Sequence, residues 1–329
     1  MWPGLGKGAF AAVLSVIAAA VPPALAQGGQ GFPRKPIQLV VASGPGGQID
    51  VLARLMGPRM TESFGQPVVV LNVPGAAGIL AANKVAKSEA DGHSLLLVQT
   101  AFAISAALQS KLPYDPLNDF AGVSQVGIPT TVLVATAALG AKSVEDLIAL
   151  AKARPGKLIF GSQGPGTGPH MLGERLRLAA SINVMSVQFS EGRQQTLVEA
   201  MTGRVHYCFA PLGSVLPFLR DDKLRALAVA TPQRSPVLPE VPALSETLPE
   251  FSRPLGSFGL LAPARTPPAI LNQISREVAR IFALREVAER MQSDGLVLAP
   301  TTPVEYDRIL RAQIDAFSEL IRVAGIPTR

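Results

Sequence analysis

Two stretches hold the residue types that could bind a small anion: "SGPGGQID" at residues 43–50 and "GSQGPGTGPH" at residues 161–170. Each follows an apolar run and leads into a helical pattern. Glycine admits positive φ and lets backbone approach a ligand closely. A helix start adds unpaired N–H groups and a partial positive charge. A smaller turn of the same design is Pro74-Gly75-Ala76-Ala77-Gly78. Facing each other across a cleft, the two rich turns could grip an anion from both sides.

What the turns lack narrows the anion. A dinucleotide fingerprint needs G-x-G-x-x-G/A, but Gly44-x-Gly46 puts Ile49 at the third glycine. A P-loop ends in Gly-Lys-Ser/Thr, and Gly166-Thr167 has no lysine. The nucleophile elbow G-x-S-x-G fails because Phe160 stands two before Ser162. Cys208 is the single cysteine, which permits neither an internal disulfide nor a cysteine metal site. His93, His170 and His206 are far apart and form no H-E-x-x-H pattern. No metal and no cofactor are expected. A carboxylate held by N–H groups and hydroxyls suits the chemistry that remains.

Ser162, Thr167 and His170 add side-chain donors to the second turn. His170 falls in the first turn of its helix, where the dipole disfavours imidazolium. A neutral ring there can donate to a ligand or brace the loop, and the sequence leaves both open. Asp50 falls in the first turn of the first helix, where an acid set against the dipole is the preferred reading. Its alternative role is to catch an amino or amide group of a ligand.

The elements that must position these turns alternate. Residues 37–42 form a continuous apolar run with β-branched residues, a buried parallel strand. Residues 48–63 follow with helical spacing at Leu52, Leu55, Met56 and Met60, and Pro58 is expected to bend that helix. Strands are expected at 68–73 and 94–99, with a helix from the Gly78 turn through Lys87 between them. This β-α-β-α-β start argues for a doubly wound sheet whose ligands sit beyond the carboxyl ends of the strands. Further strands are expected at 131–135, 158–161, 184–188, 205–209 and 226–230, then a Pro-rich connector at 232–254 and a strand at 258–262. Ser143 starts a helix. Two amphipathic helices close the chain, one presenting Ile270, Leu271, Ile274, Val278 and Ile281. The other opens with the capping box Thr302-Pro303-Val304-Glu305 and presents Ile309, Leu310, Ile314, Phe317 and Ile321.

Composition sets the setting. The 329 residues carry a formal charge of +6, only 16% charged and 5% aromatic residues, and 30 Gly with 29 Pro, as befits compact α/β material with many turns. Basic residues are scattered, which argues against nucleic-acid binding. Lys7, an apolar run at 9–21 and Ala24-Leu25-Ala26 match a secretory signal with cleavage expected after Ala26, because the run is too short to span a bilayer. The mature protein is expected to be exported and soluble.

The motifs "GPGGQID", "PGAAGILAANKVAKSEADGHSLLL", "LPYDPLNDF", "GSQGPGTGPH" and the terminal "AGIP" resemble those of the Bug receptors. These are periplasmic tricarboxylate-binding proteins of the TctC type that serve tripartite tricarboxylate transporters. The similarity runs from about Pro33 to Arg329. It implies a two-domain α/β periplasmic binding protein, a type II-like flytrap with mostly parallel sheets flanked by helices. One domain would comprise residues 27–127 plus 253–329 and the other residues 128–252. It implies no catalysis, a small carboxylate ligand, membrane transporter subunits as partners, no nucleic acid, and a monomer in the periplasm. The candidate ligand contacts are Ser43, Gly46, Gly47, Gln48, Asp50, Thr100, Ser162, Gly164, Gly166, Thr167, His170, Phe189 and Ser190.

The chain departs from the family where selectivity would be set. The usual Pro-Phe-Pro-Pro-Gly-Gly is Ala42-Ser43-Gly44-Pro45-Gly46-Gly47, and Val-Pro-Tyr-Lys-Gly is Gln188-Phe189-Ser190-Glu191-Gly192. The usual Phe-Asp pair is Phe209-Ala210, and Ser257 replaces a tryptophan. These changes suggest a polar cleft for a carboxylate that bears a neutral or cationic group. Two other readings stand beside the transport receptor: a ligand sensor that signals to a membrane partner, and an enzyme acting on a small anion.

Overall fold

A computed structural model describes residue 1, residues 31–189 and residues 193–328. The body of the expected export signal, the candidate contact Ser190 and its neighbours Glu191 and Gly192 lie outside these residues. The chain begins with β1 (Ile37–Val41), α1 (Gln48–Phe64), β2 (Val68–Asn72), α2 (Ile79–Ala86), β3 (Ser94–Val98), α3 (Ala101–Leu108) and β4 (Phe120–Pro129). It continues with β5 (Thr131–Thr136), α4 (Val144–Ala153), β6 (Ile159–Ser162), α5 (Gly168–Ala179), β7 (Met185–Gln188) and α6 (Arg193–Met201). Next come β8 (Tyr207–Pro211), α7 (Leu212–Arg220), β9 (Leu224–Val229) and α8 (Leu244–Thr247). The chain closes with β10 (Phe258–Pro263), α9 (Pro268–Phe282), α10 (Arg285–Ser293), β11 (Leu296–Leu298) and α11 (Pro303–Ala324).

Two sheets result, in the orders β11-β4-β10-β3-β1-β2 and β7-β6-β8-β5-β9. They are mixed: β1–β2, β1–β3, β6–β7 and β6–β8 pair in parallel, whereas β10, β11, β5 and β9 pair antiparallel. The expectation of mostly parallel sheets therefore holds only on the β1–β3 and β6–β8 sides. Parallel pairing needs a helical crossover, and strands that arrive from the other sheet carry no such constraint.

β1 shows why its run is unbroken. Ile37, Leu39 and Val41 pack with α1, α9 and α10, while Val40 packs on the other face with α2, α3 and α11. Both faces are covered, so no polar alternation survives. The two terminal helices bury the faces expected of them, and Thr302 and Glu305 form the capping box of α11. Ser143 caps α4 by accepting from the Asp146 N–H at 3.1 Å. Helix α1 runs through Pro58 to Phe64. The helix α3, "AFAISAAL", has no apolar stripe to read because it is apolar all round and buried.

The chain passes between the sheets twice. The first passage is Thr130 alone, whose N–H donates to the Gly295 carbonyl at 2.7 Å and whose carbonyl accepts from the Leu212 N–H at 3.0 Å. The return crosses at residues 248–257. There Arg175 of α5 donates to the carbonyls of Arg253 and Glu250 and lies 4.4 Å over the Phe251 ring.

Gly173 seats α5 on its sheet. A Cβ at that position would stand 2.0 Å from Cζ of Phe160, whereas one at Gly168 meets nothing within 4 Å. Gly173→Ala is expected to lower stability by about 1–3 kcal/mol through overpacking, and Gly168→Ala to leave it nearly unchanged, as read from denaturant midpoints.

Candidate functional site

The carboxyl ends of β1, β3, β6 and β8 feed the starts of α1, α3, α5 and α7, and all four starts border one cleft of about 660 Å³ between the sheets. None of these helices is capped by a side chain: Gly47, Thr100, Thr167 and Pro211 stand at the N-cap positions without making that bond. At α7 the first N–H, that of Leu212, goes to the Thr130 carbonyl, and at α3 the Phe102 N–H goes to the Gln99 carbonyl. At α1 and α5 no side chain takes the first N–H groups, which bring their partial positive charge to the cleft.

The two jaws share one construction. Gly46 and Gly166 both have positive φ, 83° and 77°. The next residue, Gly47 or Thr167, is the extended N-cap. Three residues beyond the cap, a buried side chain reaches back to the glycine. The Gly46 N–H donates to Asp50 Oδ2 at 2.9 Å, and the Gly166 N–H donates to His170 Nδ1 at 3.4 Å. A reach-back of this kind fixes the entry of the chain into the helix, as a capping box does one residue later.

Asp50 is therefore a brace. It is 2% exposed and also accepts from Arg54 Nε at 3.0 Å and Asn72 Nδ2 at 2.8 Å. Burial pushes its carboxyl up, but the bonds from Arg54, Gly46 and Asn72 outweigh that and hold its pKa below the usual value. His170 is a brace as well: burial is the main cause of its lowered pKa, opposed by the Glu174 carboxylate 4.0 Å from Nε2. Of the two roles open to His170, the geometry shows bracing.

Ser43, Gly47, Gln48, Thr100, Gly166 and Thr167 line the cleft, so residues of both jaws come together there. Gly46, Asp50, Ser162, Gly164, His170 and Phe189 do not line it. Ser162 is fully buried beneath the loop, and Phe189 donates its N–H to the Ser162 carbonyl at 2.9 Å. The hydroxyls are also partly committed: Ser43 Oγ donates to the Gly44 carbonyl at 3.2 Å and Thr167 Oγ1 to the Gly164 carbonyl at 3.0 Å. Gln48 Nε2 donates to the Asp294 carbonyl at 2.6 Å.

At the start of α3 the sequence reading named Thr100 but not its neighbours Gln99 and Ala101, and it missed the start of α7, at Gly213 and Ser214, together with Asp294. Pro211-Leu212-Gly213-Ser214 after a strand carried the same signal as the jaws and could have been found by it. Nothing local marks Asp294. Cys208 is fully buried in β8, where burial pushes its thiol up to about 12. Among the described residues, no group of three or more His, Cys, Asp and Glu side chains is placed to hold a metal ion, and no helix is long and apolar enough to cross a membrane.

With this geometry in view, comparison with known proteins is direct. The family described as tripartite tricarboxylate transporter family receptor, TctC, matches residues 52–326. Protein BugT of Bordetella pertussis is 34% identical over 300 residues, which cover 89% of this chain and 90% of BugT. An R. palustris protein solved with adipate superposes with a TM-score of 0.76 at 29% identity, covering 90% of this chain and 99% of that one. MatC from Rhodopseudomonas palustris with bound malate gives 0.70 at 28% identity, covering 88% and 100%. These are two-domain periplasmic binding proteins, and the fold here is theirs. The chain belongs to the TctC family, the receptors of tripartite tricarboxylate transporters.

Proposed function

We propose that this protein captures a small carboxylate in the cleft and hands it to the membrane subunits of a tripartite tricarboxylate-type transporter. The observation that carries the reading is the pair of jaws: two uncapped helix starts, α1 and α5, one from each sheet unit, border a single cleft. Convergent N–H groups suit a carboxylate, whose two oxygens accept and cannot donate. The relatives solved with adipate and malate support the same class of ligand.

The protein acts as a monomer that binds without catalysis. His170 and Cys208, groups a hydrolase or transferase would use, are instead built into the frame. Export follows cleavage after Ala26. The lobes bend about Thr130 and the 248–257 crossing, close to the boundaries expected at 127/128 and 252/253. The contact set proposed for the ligand is Ser43, Gly47, Gln48, Thr100, Gly166 and Thr167, with the braces Gly46, Asp50, Ser162, Gly164 and His170 acting behind them.

Gly47 and Gly168 have ordinary φ values, and a Cβ at either meets no atom closer than 3.9 Å. Gly47→Asp and Gly168→Asp are each expected to fold with unchanged or higher stability, because an acid suits a helix start. Each should nevertheless lose the ligand, since its carboxylate takes the ligand's place. Mass spectrometry of small molecules released on denaturation checks this: a carboxylate from the wild type and none from either variant. Full retention in both would refute the jaw site.

His170 and His206 are both held neutral, and each accepts a backbone N–H on Nδ1, from Gly166 at 3.4 Å and from Ile159 at 2.8 Å. Burial lowers both from the ordinary 6.5, with Arg154 adding to the effect at His206. The folded value lies below the unfolded one, so their stabilisation is complete above 6.5 and is lost as pH falls from there toward the folded values. The melting temperature is expected to drop between about pH 7 and pH 5. His170→Asn, which keeps an acceptor for Gly166, should make that drop shallower.

A further inference from the structure

Building on the carboxylate reading, we infer that the ligand carries a single carboxylate on an uncharged, apolar body, and that Asp294 disfavours a second anionic group. Among the described residues, the cleft lining contains no Lys, Arg or His, and its one ionisable residue is Asp294. An anion is served at the jaws by N–H groups. A second carboxylate would have only the starts of α3 and α7, whose Phe102 and Leu212 N–H groups already donate to backbone carbonyls, would find no cation to offset its lost hydration, and would lie in the field of the Asp294 carboxylate.

Asp294 is held in place. Its carbonyl takes the 2.6 Å bond from Gln48, which sets it beside the start of α1, and its Oδ2 pairs with Arg290 Nε at 3.1 Å. Arg290 does not line the cleft. That pairing already satisfies much of the Asp294 charge, so a ligand cation gains little there. A second anion is repelled there.

The walls supply the rest. Ile128, Met171, Leu172, Leu255, Phe258 and Phe317 line the cleft from both sheet units and the hinge crossing. Three of the polar side chains that border it, Ser43, Thr167 and Gln48, already donate to protein carbonyls. A space of about 660 Å³ also exceeds what a four-carbon diacid fills. The body that matches these walls is aliphatic or aromatic, with about six carbons or more.

Titration calorimetry on the full mature protein with a matched series tests this: hexanoate, octanoate, adipate, 6-aminohexanoate and hexanamide. Hexanoate is expected to bind at least about tenfold more tightly than adipate or 6-aminohexanoate, and octanoate to gain up to roughly fourfold per added methylene. Asp294→Asn, which leaves the Gln48 bond intact, should narrow the hexanoate-to-adipate ratio several-fold. Adipate or 6-aminohexanoate binding as tightly as hexanoate would overturn the inference while sparing the carboxylate reading. No gain with chain length, or no binding of either monocarboxylate, would also overturn it. Hexanamide matching hexanoate would instead refute the carboxylate reading itself. An unchanged ratio in Asp294→Asn would remove Asp294 from the account.

Discussion

The N–H groups at a helix start can hold an anion only if the backbone that presents them cannot relax and no side chain of the protein takes them first. Both conditions are met here by one local device used twice. In each jaw, a glycine in the left-handed region precedes the N-cap, and a buried side chain four residues further on accepts its N–H. Asp50 does this in one jaw and His170 in the other. The bond satisfies the glycine amide, and it fixes the direction from which the chain enters the helix. Each brace is a different chemical group, yet both are buried and both act as acceptors.

This construction explains the division of labour in the site. Side chains that could have donated to a ligand are engaged with the loops themselves, Thr167 with Gly164 and Ser43 with Gly44. At the jaws, the groups left over are backbone N–H. A backbone surface reads charge and shape but little else, so on the proposed function discrimination among carboxylates would fall to the other residues that line the cleft. Of the positions where the chain departs from the family's usual motifs, Ser43 borders the cleft, whereas Ser257 is buried and hydrogen-bonded to Gln313.

The fold serves the jaws through packing that reaches across the chain. α5 belongs to the second sheet unit, yet its Met171 packs with Phe102, Ile104 and Phe317 of the first. Arg175, one turn further on, holds the return crossing. Thr130 ties the α10–β11 turn to the start of α7 with bonds on both sides of a single residue. The contacts that join the two sheet units therefore lie next to the cleft itself.

The sequence by itself determined what depends on neighbours along the chain. The glycine turns, the capping at Ser143 and Thr302, the buried run at 37–41 and the apolar faces of the two terminal helices all rest on local geometry and periodicity, and all were legible. Tertiary structure decided which donors remain available. Whether His170 faced a ligand or a loop amide, whether Asp50 was a contact or a brace, and that Asp294 reaches the cleft at all depend on packing between segments distant in sequence. The walls from Phe258 and Phe317 belong to the same class, since no pattern within their own strand or helix marks which buried residue borders a space. Spacing lets a side chain four residues on reach back to the glycine, but whether it does so or faces a ligand follows from its burial, which is set by the summed packing of both lobes.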